Sequence, residues 1–149
     1  LLRIVSLLYR APAEERLAYE RSAPRTGPAL ASDDTELLHQ LTHEMRQTVA
    51  RGEAVGASQL AGRLGLTRSR MNKLFSSAIG ITPSAYLRQL RLHVAKQRLK
   101  ERGTTIRGAA AAVGFLDPYH FSRAFSDMFG MSPSEYQRRC GDAGAQHRR

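Results

Sequence analysis

The sequence contains a single cysteine, Cys140, and no long apolar run. One cysteine cannot form an internal disulfide framework, and it fits a reducing cytoplasm, where we expect the protein to act. A membrane-spanning helix needs roughly 18 consecutive apolar residues, and no run approaches that length. Residues 1–9 are apolar but too short, and no small-residue cleavage site follows them, so we interpret them as an amphipathic helix. We therefore expect no membrane partner.

Runs that alternate between apolar and polar residues, as half-buried β-strands do, are also missing. The apolar fraction of 42% supports a folded core, and 24% charged residues argues against a disordered chain. The sequence therefore predicts an all-α fold. We expect a short helix and a linker in residues 1–31, a folded domain in residues 32–140 and a flexible tail in residues 141–149. Because the chain begins with Leu1 rather than methionine, we expect it to be a fragment of a longer protein.

Acidic residues are outnumbered, with 13 Asp and Glu against 23 Lys and Arg, and the imbalance is local. Residues 1–57 hold 7 basic and 8 acidic residues, whereas residues 58–140 hold 14 basic and 4 acidic residues. A basic domain of this kind attracts phosphate groups, which makes nucleic acid a candidate partner. On charge alone, a soluble arginine-rich protein without such a partner is an equally good interpretation.

The basic segment contains the same sequence unit twice, at an offset of 50 residues. The matching segments are LFSSAIGITPSAY (74–86) and AFSDMFGMSPSEY (124–136), preceded by GLTRSRM (65–71) and GFLDPYHF (114–121). The upstream part of the second copy has one extra residue. Two copies are too few for a solenoid, which needs about three repeats or more. We interpret the unit as a duplicated small subdomain.

Each copy contains a helix with one buried and one exposed face. The apolar residues, spaced as on one side of a helix, are Met71, Leu74, Phe75 and Ala78, and then Phe121, Ala124, Phe125 and Met128. The expected exposed residues are Arg68, Ser69, Arg70, Asn72, Lys73 and Ser76 in the first copy, and Tyr119, His120, Ser122, Arg123 and Ser126 in the second. Two helices joined by a short turn, the second with a polar and basic face, are typical of a helix-turn-helix motif.

The repeated phrases GITPSAY and GMSPSEY are interpreted as joints between helices. Gly80 and Gly130 end the exposed helices, and the cap-plus-proline pairs that follow begin the next ones. We expect Tyr86 and Tyr136 to brace these next helices in partly buried positions. The helix that begins after the first phrase is predicted to run from Pro83 to residue 101 and to be about 27 Å long. That length approaches one turn of B-DNA, about 34 Å, so it could hold two reading helices in successive major grooves.

Residues 33–139 resemble the DNA-binding domain of the AraC/XylS family of bacterial transcription regulators. The match is carried by SQLAGRLGLTRSRMNKLF (58–75), YLRQLRLHVAKQRL (86–99) and AAAAVGFLDPYHFSRAFSDMFGMSPSEYQRR (109–139). The resemblance implies about seven helices in two helix-turn-helix subdomains joined by a long central helix, binding one face of double-stranded DNA. It also implies two further candidate partners, RNA polymerase and a second copy of the chain. That second chain would bind through an upstream domain. Residues 1–30 resemble the tail of such a domain.

Base-facing positions of the family fall on Ser69, Asn72 and Lys73 in the first copy, and on Pro118, Tyr119, His120, Ser122 and Arg123 in the second. Asparagine can pair with adenine, and lysine or arginine with guanine. Arg68 and Arg70 are expected to contact phosphate instead or to be solvated. Pro118 replaces a hydrogen-bonding residue of the family, and Gly108 weakens the preceding helix. We therefore expect the exposed helix of the first copy to be the principal reader, the helix that makes most of the contacts that distinguish bases.

We expect no cofactor, no metal site and no catalytic activity. His39 and His43 have a metal-binding spacing on one helix, but no further ligand completes a site, so a solvated face is favoured. No set of nucleophile, base and acid and no glycine-rich phosphate loop stands out. Two alternatives stay open beside a regulator: the DNA-reading module of a fused repair or modification enzyme, and a basic helical adaptor for polyanions.

Overall fold

The computed structural model describes residues 32–146, and all regular secondary structure in this range is helical. Seven helices follow one another there: α1 Ser32–Ala50, α2 Ala57–Arg63, α3 Arg68–Ala78, α4 Pro83–Arg98, α5 Ile106–Ala111, α6 Pro118–Phe129 and α7 Pro133–Gln146. The predicted all-α fold is confirmed. Within the described range, no helix combines the length and the hydropathy needed to cross a bilayer. The predicted N-terminal helix and linker lie outside the described residues.

The two repeated phrases act as joints, as predicted. Thr82 Oγ1 accepts a hydrogen bond from the backbone N–H of Ala85 at 3.2 Å, which caps α4. Fifty residues later, Ser132 Oγ accepts from the N–H of Glu135 at the same distance and caps α7. The glycine two residues before each cap has a positive φ, 81° and 71°. Because only glycine adopts this conformation at low cost, each phrase ends one helix and starts the next.

Two predicted boundaries are wrong. The central helix α4 ends at Arg98, not at residue 101, and is therefore about 24 Å long. Beyond it, Lys100 and Glu101 donate to carbonyls three residues back, at 3.1 and 3.0 Å, so the last turn tightens and the α-helix stops. At the C-terminus, residues 141–146 were predicted to belong to a tail but continue α7. Gly141 is accommodated within this helix, although glycine costs about 1 kcal/mol relative to alanine there.

The described residues form two compact units. The first unit contains residues 32–45 and 56–86, and the second contains residues 46–55 and 87–146. Each unit holds one of the two predicted helix pairs: α2 and α3 lie in the first, and α5 and α6 lie in the second. The last turn of α1 belongs to the second unit, which the sequence did not predict.

The first unit is built around Phe75. The buried apolar residues of α1, α2 and α3 include Leu38, Leu41, Met45, Leu60, Ala61, Met71, Leu74, Phe75 and Ala78. The predicted inner face of α3 is thus confirmed. The Phe75 ring meets the ring of Tyr86 edge to face, with centroids 5.5 Å apart. Tyr86 is half-buried, as predicted.

The second unit repeats this arrangement around Phe121 and Phe125, both fully buried. The ring centroids of Phe125 and Tyr136 are 5.8 Å apart, so the phenylalanine–tyrosine pair of the first unit recurs fifty residues later. Ala124 and Met128 were predicted to be buried but are half-exposed. The rings of Phe121 and Phe125 pack against each other with centroids 5.7 Å apart and form the aromatic part of this core, and Ala124 and Met128 lie at its edge.

Candidate nucleic-acid interface

The start of α3 is fixed by a tight turn and a side-chain cap. Gly65 has a φ of 67°, and the N–H of Leu66 donates to the carbonyl of Ala61 at 2.9 Å, which closes the end of α2. Thr67 Oγ1 then accepts from the N–H of Arg70 at 3.2 Å. This cap satisfies one of the free N–H groups at the helix start, so α3 begins at a defined residue.

Five of the six residues predicted on the exposed face of α3 line one shallow concave surface. These residues, which together we call the α3 surface, are Arg68, Ser69, Asn72, Lys73 and Ser76. All five are exposed. The surface combines two cations, an amide and two hydroxyls, and these groups can donate hydrogen bonds to phosphate oxygens and to base edges. It contains no acidic side chain.

The sixth residue, Arg70, is set apart from the α3 surface. It follows Ser69 by one residue, which turns its side chain by about 100° around the helix. Its guanidinium donates to Asp34 Oδ1 of α1, within the first unit. The structure therefore brings five predicted residues together and places the sixth in an ion pair.

The turn before α6 repeats the turn before α3 with one insertion. Gly114 has a φ of 80°, and the N–H of Phe115 donates to the carbonyl of Ala110 at 3.0 Å, as in the first copy. The extra residue of the second copy then falls at Leu116, which is 89% exposed. Leu116 is a further candidate contact residue that was not among those predicted from the sequence. A large apolar residue inserted directly before a helix cap was the available signal.

The second copy exposes fewer of its predicted side chains. Asp117 caps α6 by accepting from the N–H of Tyr119 at 2.8 Å, with Pro118 in the first position. Tyr119 is 69% exposed, and Arg123 is exposed as well. His120 Nε2 lies 3.7 Å from Asp117 Oδ2, and its side chain is also exposed. We call Tyr119, His120 and Arg123 the α6 surface.

Ser122 and Ser126 are directed back onto their own helix. The Ser122 hydroxyl donates to the carbonyl of Pro118 at 2.9 Å, and the Ser126 hydroxyl donates to the carbonyl of Ser122 at the same distance. Both residues are half-buried. A serine that bonds to the carbonyl four residues earlier has already committed its single proton, so it can only accept from a partner.

A half-buried arginine supports the turn before α6. Arg91 of α4 donates to the carbonyls of Glu53 and Val55, at 3.0 and 2.8 Å. Burial lowers the pKa of Arg91 below its ordinary value. A Cβ atom on Gly114 would lie 2.5 Å from the carbonyl oxygen of Glu53, so the turn packs directly on the backbone that Arg91 holds. This role of Arg91 could not be predicted from the sequence, because the residues that meet here are distant along the chain.

The helical domain of this chain matches a known protein family. Residues 60–139, more than half of the chain, match the family model of a helix-turn-helix domain. The chain belongs to the AraC-type helix-turn-helix family of DNA-binding transcription regulators. The resemblance that the sequence motifs indicated is thereby confirmed. A curated relative is the lactose operon transcription activator of Staphylococcus xylosus, 35% identical over 83 residues, which cover 56% of this chain and 30% of the activator.

Solved structures of AraC-type domains share the fold. An AraC-type transcriptional regulator from Chromobacterium violaceum has a TM-score of 0.65 and 25% identity, over 74% of this chain and 96% of that protein. The DNA-binding domain of AdpA, solved in complex with a target DNA, has a TM-score of 0.61 and 25% identity, over 68% of this AraC-type chain and 89% of the AdpA domain. The chain spans about a third of the length of the curated relatives that it matches.

Proposed function

We propose that this AraC-type chain is the DNA-reading part of a bacterial transcription regulator. It binds double-stranded DNA by inserting α3 and α6 into the major groove, each through its exposed surface. The observation that carries the proposal is the α3 surface, where five side chains predicted to face DNA line one concavity without an acidic residue. The basic excess of residues 58–140 adds sequence-independent attraction to the phosphate backbone. The complex of the AdpA domain with its target DNA supports the same partner.

The chemistry of the two surfaces suggests distinct roles for their residues. Asn72 is suited to adenine, and Lys73 and Arg123 are suited to the acceptor atoms of guanine. Arg68, at the start of α3, is suited to a phosphate, because a cation there needs no defined base edge. The remaining exposed residues, which can contact phosphates or base edges, are Ser69, Ser76, Tyr119 and His120.

The regulatory outcome is part of the same proposal. The Staphylococcus xylosus relative is an activator, which favours activation as the outcome and RNA polymerase as a protein partner. A second copy of the chain, joined through an upstream domain, completes the proposed partners. We propose the cytoplasm as the site of action and no catalytic activity for the chain.

Selection from a randomised duplex pool tests the proposal. We expect one enriched sequence, bound more tightly than its scrambled version. Affinity for both duplexes should fall with salt, with a slope of about −0.9 per neutralised phosphate in a plot of log affinity against log salt. A polyanion adaptor would bind the enriched duplex, the scrambled duplex and heparin alike and would enrich no sequence, which would contradict the proposal. The entry of α3 and α6 into successive major grooves stays a prediction. Two enriched blocks of sequence about 10 base pairs apart would confirm it.

A further inference from the structure

Asp34 and Arg70 form an ion pair that connects the start of α1 to α3 within the first unit. The two residues are 36 positions apart in sequence, and Arg70 Nη2 donates to Asp34 Oδ1. The side chain of Asp34 is 23% exposed and that of Arg70 is 48% exposed. The other two cations of α3, Arg68 and Lys73, line the α3 surface, from which Arg70 is absent.

The position of Asp34 favours a stable pair. Asp34 lies in the first turn of α1, where the positive end of the helix dipole stabilises a carboxylate. Arginine presents a planar fork of donors that matches a carboxylate, so Arg70 is well suited to this partner. Asp34 occupies one donor of Arg70 and places a negative charge beside the guanidinium, so it would repel a phosphate that approached Arg70.

We propose that Asp34 withholds Arg70 from the DNA backbone and so limits non-specific binding by α3. The inference rests on the proposed function, because it requires α3 to contact DNA. Phosphate contacts raise affinity for every sequence, whereas contacts to base edges distinguish one sequence from another. A cation kept off the backbone beside the α3 surface lowers affinity for non-target DNA and leaves the base contacts of Asn72 and Lys73 in place. Asp34 thus lowers the sequence-independent part of the affinity, for target and non-target DNA alike.

The variant Asp34→Asn tests this inference, because it releases Arg70 and retains a side chain of similar size. Affinity for a scrambled duplex should rise several-fold at low salt. The slope of log affinity against log salt should become steeper by about 0.9, the value for one added phosphate contact. Affinity for the enriched duplex should rise by a similar factor, so the ratio of affinities for the enriched and the scrambled duplex and the selected sequence should both stay the same.

Two matched variants separate the pair from a simple change of charge. Asp33→Asn alters net charge by the same amount at the neighbouring position, where the carboxylate is exposed, and should change the slope by clearly less. The double variant Asp34→Asn with Arg70→Gln removes the pair and keeps the net charge. It should bind with the slope and affinity of the unaltered chain. Melting curves of all three variants verify that they are folded.

Two results would overturn the inference. One is an Asp34→Asn chain whose slope is unchanged or shallower. The other is a double variant that loses about 0.9 of the slope, since Arg70 would then contact a phosphate in the unaltered chain. These results differ from a failure of the proposed function, in which the unaltered chain enriches no sequence from the pool.

Discussion

Ser122 and Arg123 are neighbours on α6, but they can offer different groups to DNA. The hydroxyl proton of Ser122 is already donated to the carbonyl of Pro118 at 2.9 Å, and the residue is half-buried. Arg123 is exposed and carries five N–H donors. Another serine, Ser69 of α3, is exposed and lines the α3 surface. Ser69 and Ser122 therefore differ in their access to a ligand.

We expect the Ser122→Ala variant to keep nearly all of its affinity for the enriched duplex, because the lost hydroxyl bonds to its own helix. Ser69→Ala makes the same change at an exposed serine of the α3 surface and should weaken binding measurably. Fluorescence anisotropy with the labelled duplex measures both. A larger loss for Ser122→Ala than for Ser69→Ala would show that the Ser122 hydroxyl turns toward DNA on binding.

At the scale of the elements, both helix pairs use the same turn, but the two glycines have different surroundings. Gly65 and Gly114 have φ values of 67° and 80°, which an L-residue adopts only with strain. No atom would lie within 4 Å of a Cβ on Gly65. A Cβ on Gly114 would meet the carbonyl oxygen of Glu53 at 2.5 Å. The second turn therefore has a steric requirement that the first does not have.

Gly65→Ala should destabilise the protein by about 1–2 kcal/mol, the cost of a left-handed conformation with a Cβ. Gly114→Ala should cost clearly more, because the backbone of Glu53 must also move. Urea denaturation of both variants gives the two free energies of unfolding. Equal losses would contradict the close packing of the Gly114 turn on residues 53–55.

The buried phenylalanines of the two helix pairs give a second prediction at this scale. Phe75 and Phe125 are both fully buried, and each contacts the tyrosine of the following helix. Either substitution, Phe75→Ala or Phe125→Ala, should cost about 3–5 kcal/mol through lost burial and the cavity left behind. Thermal melts measure the effect, with Ser76→Ala on the exposed face of α3 as control. An unchanged melting temperature for Phe125→Ala would contradict its place in the core.

At the scale of the whole molecule, the features that could be predicted from the sequence are those that depend on the spacing of residues close together in the chain. The glycine and proline joints and the positions of Phe75 and Phe125 follow from helical periodicity and capping, whereas the number of helices was implied by the family resemblance. The ion pair of Asp34 and Arg70 and the support of Glu53 by Arg91 could not be predicted, because they join residues far apart in sequence. Helical period fixes the direction in which a side chain leaves its helix, but a long arginine can reach a partner on another helix.

The comparison of Asn72→Ala with Arg123→Ala in selections from the randomised pool tests the central claim most directly. The claim is that α3 and α6 each contact bases and that α3 is the principal reader. Asn72→Ala should relax preference at one or two positions, by about 1–3 kcal/mol per lost pair, and Arg123→Ala should relax a different position. The remaining preferences should persist in each variant. If Arg123→Ala flattens the whole sequence preference while Asn72→Ala leaves it intact, α6 is the principal reader and the account is contradicted.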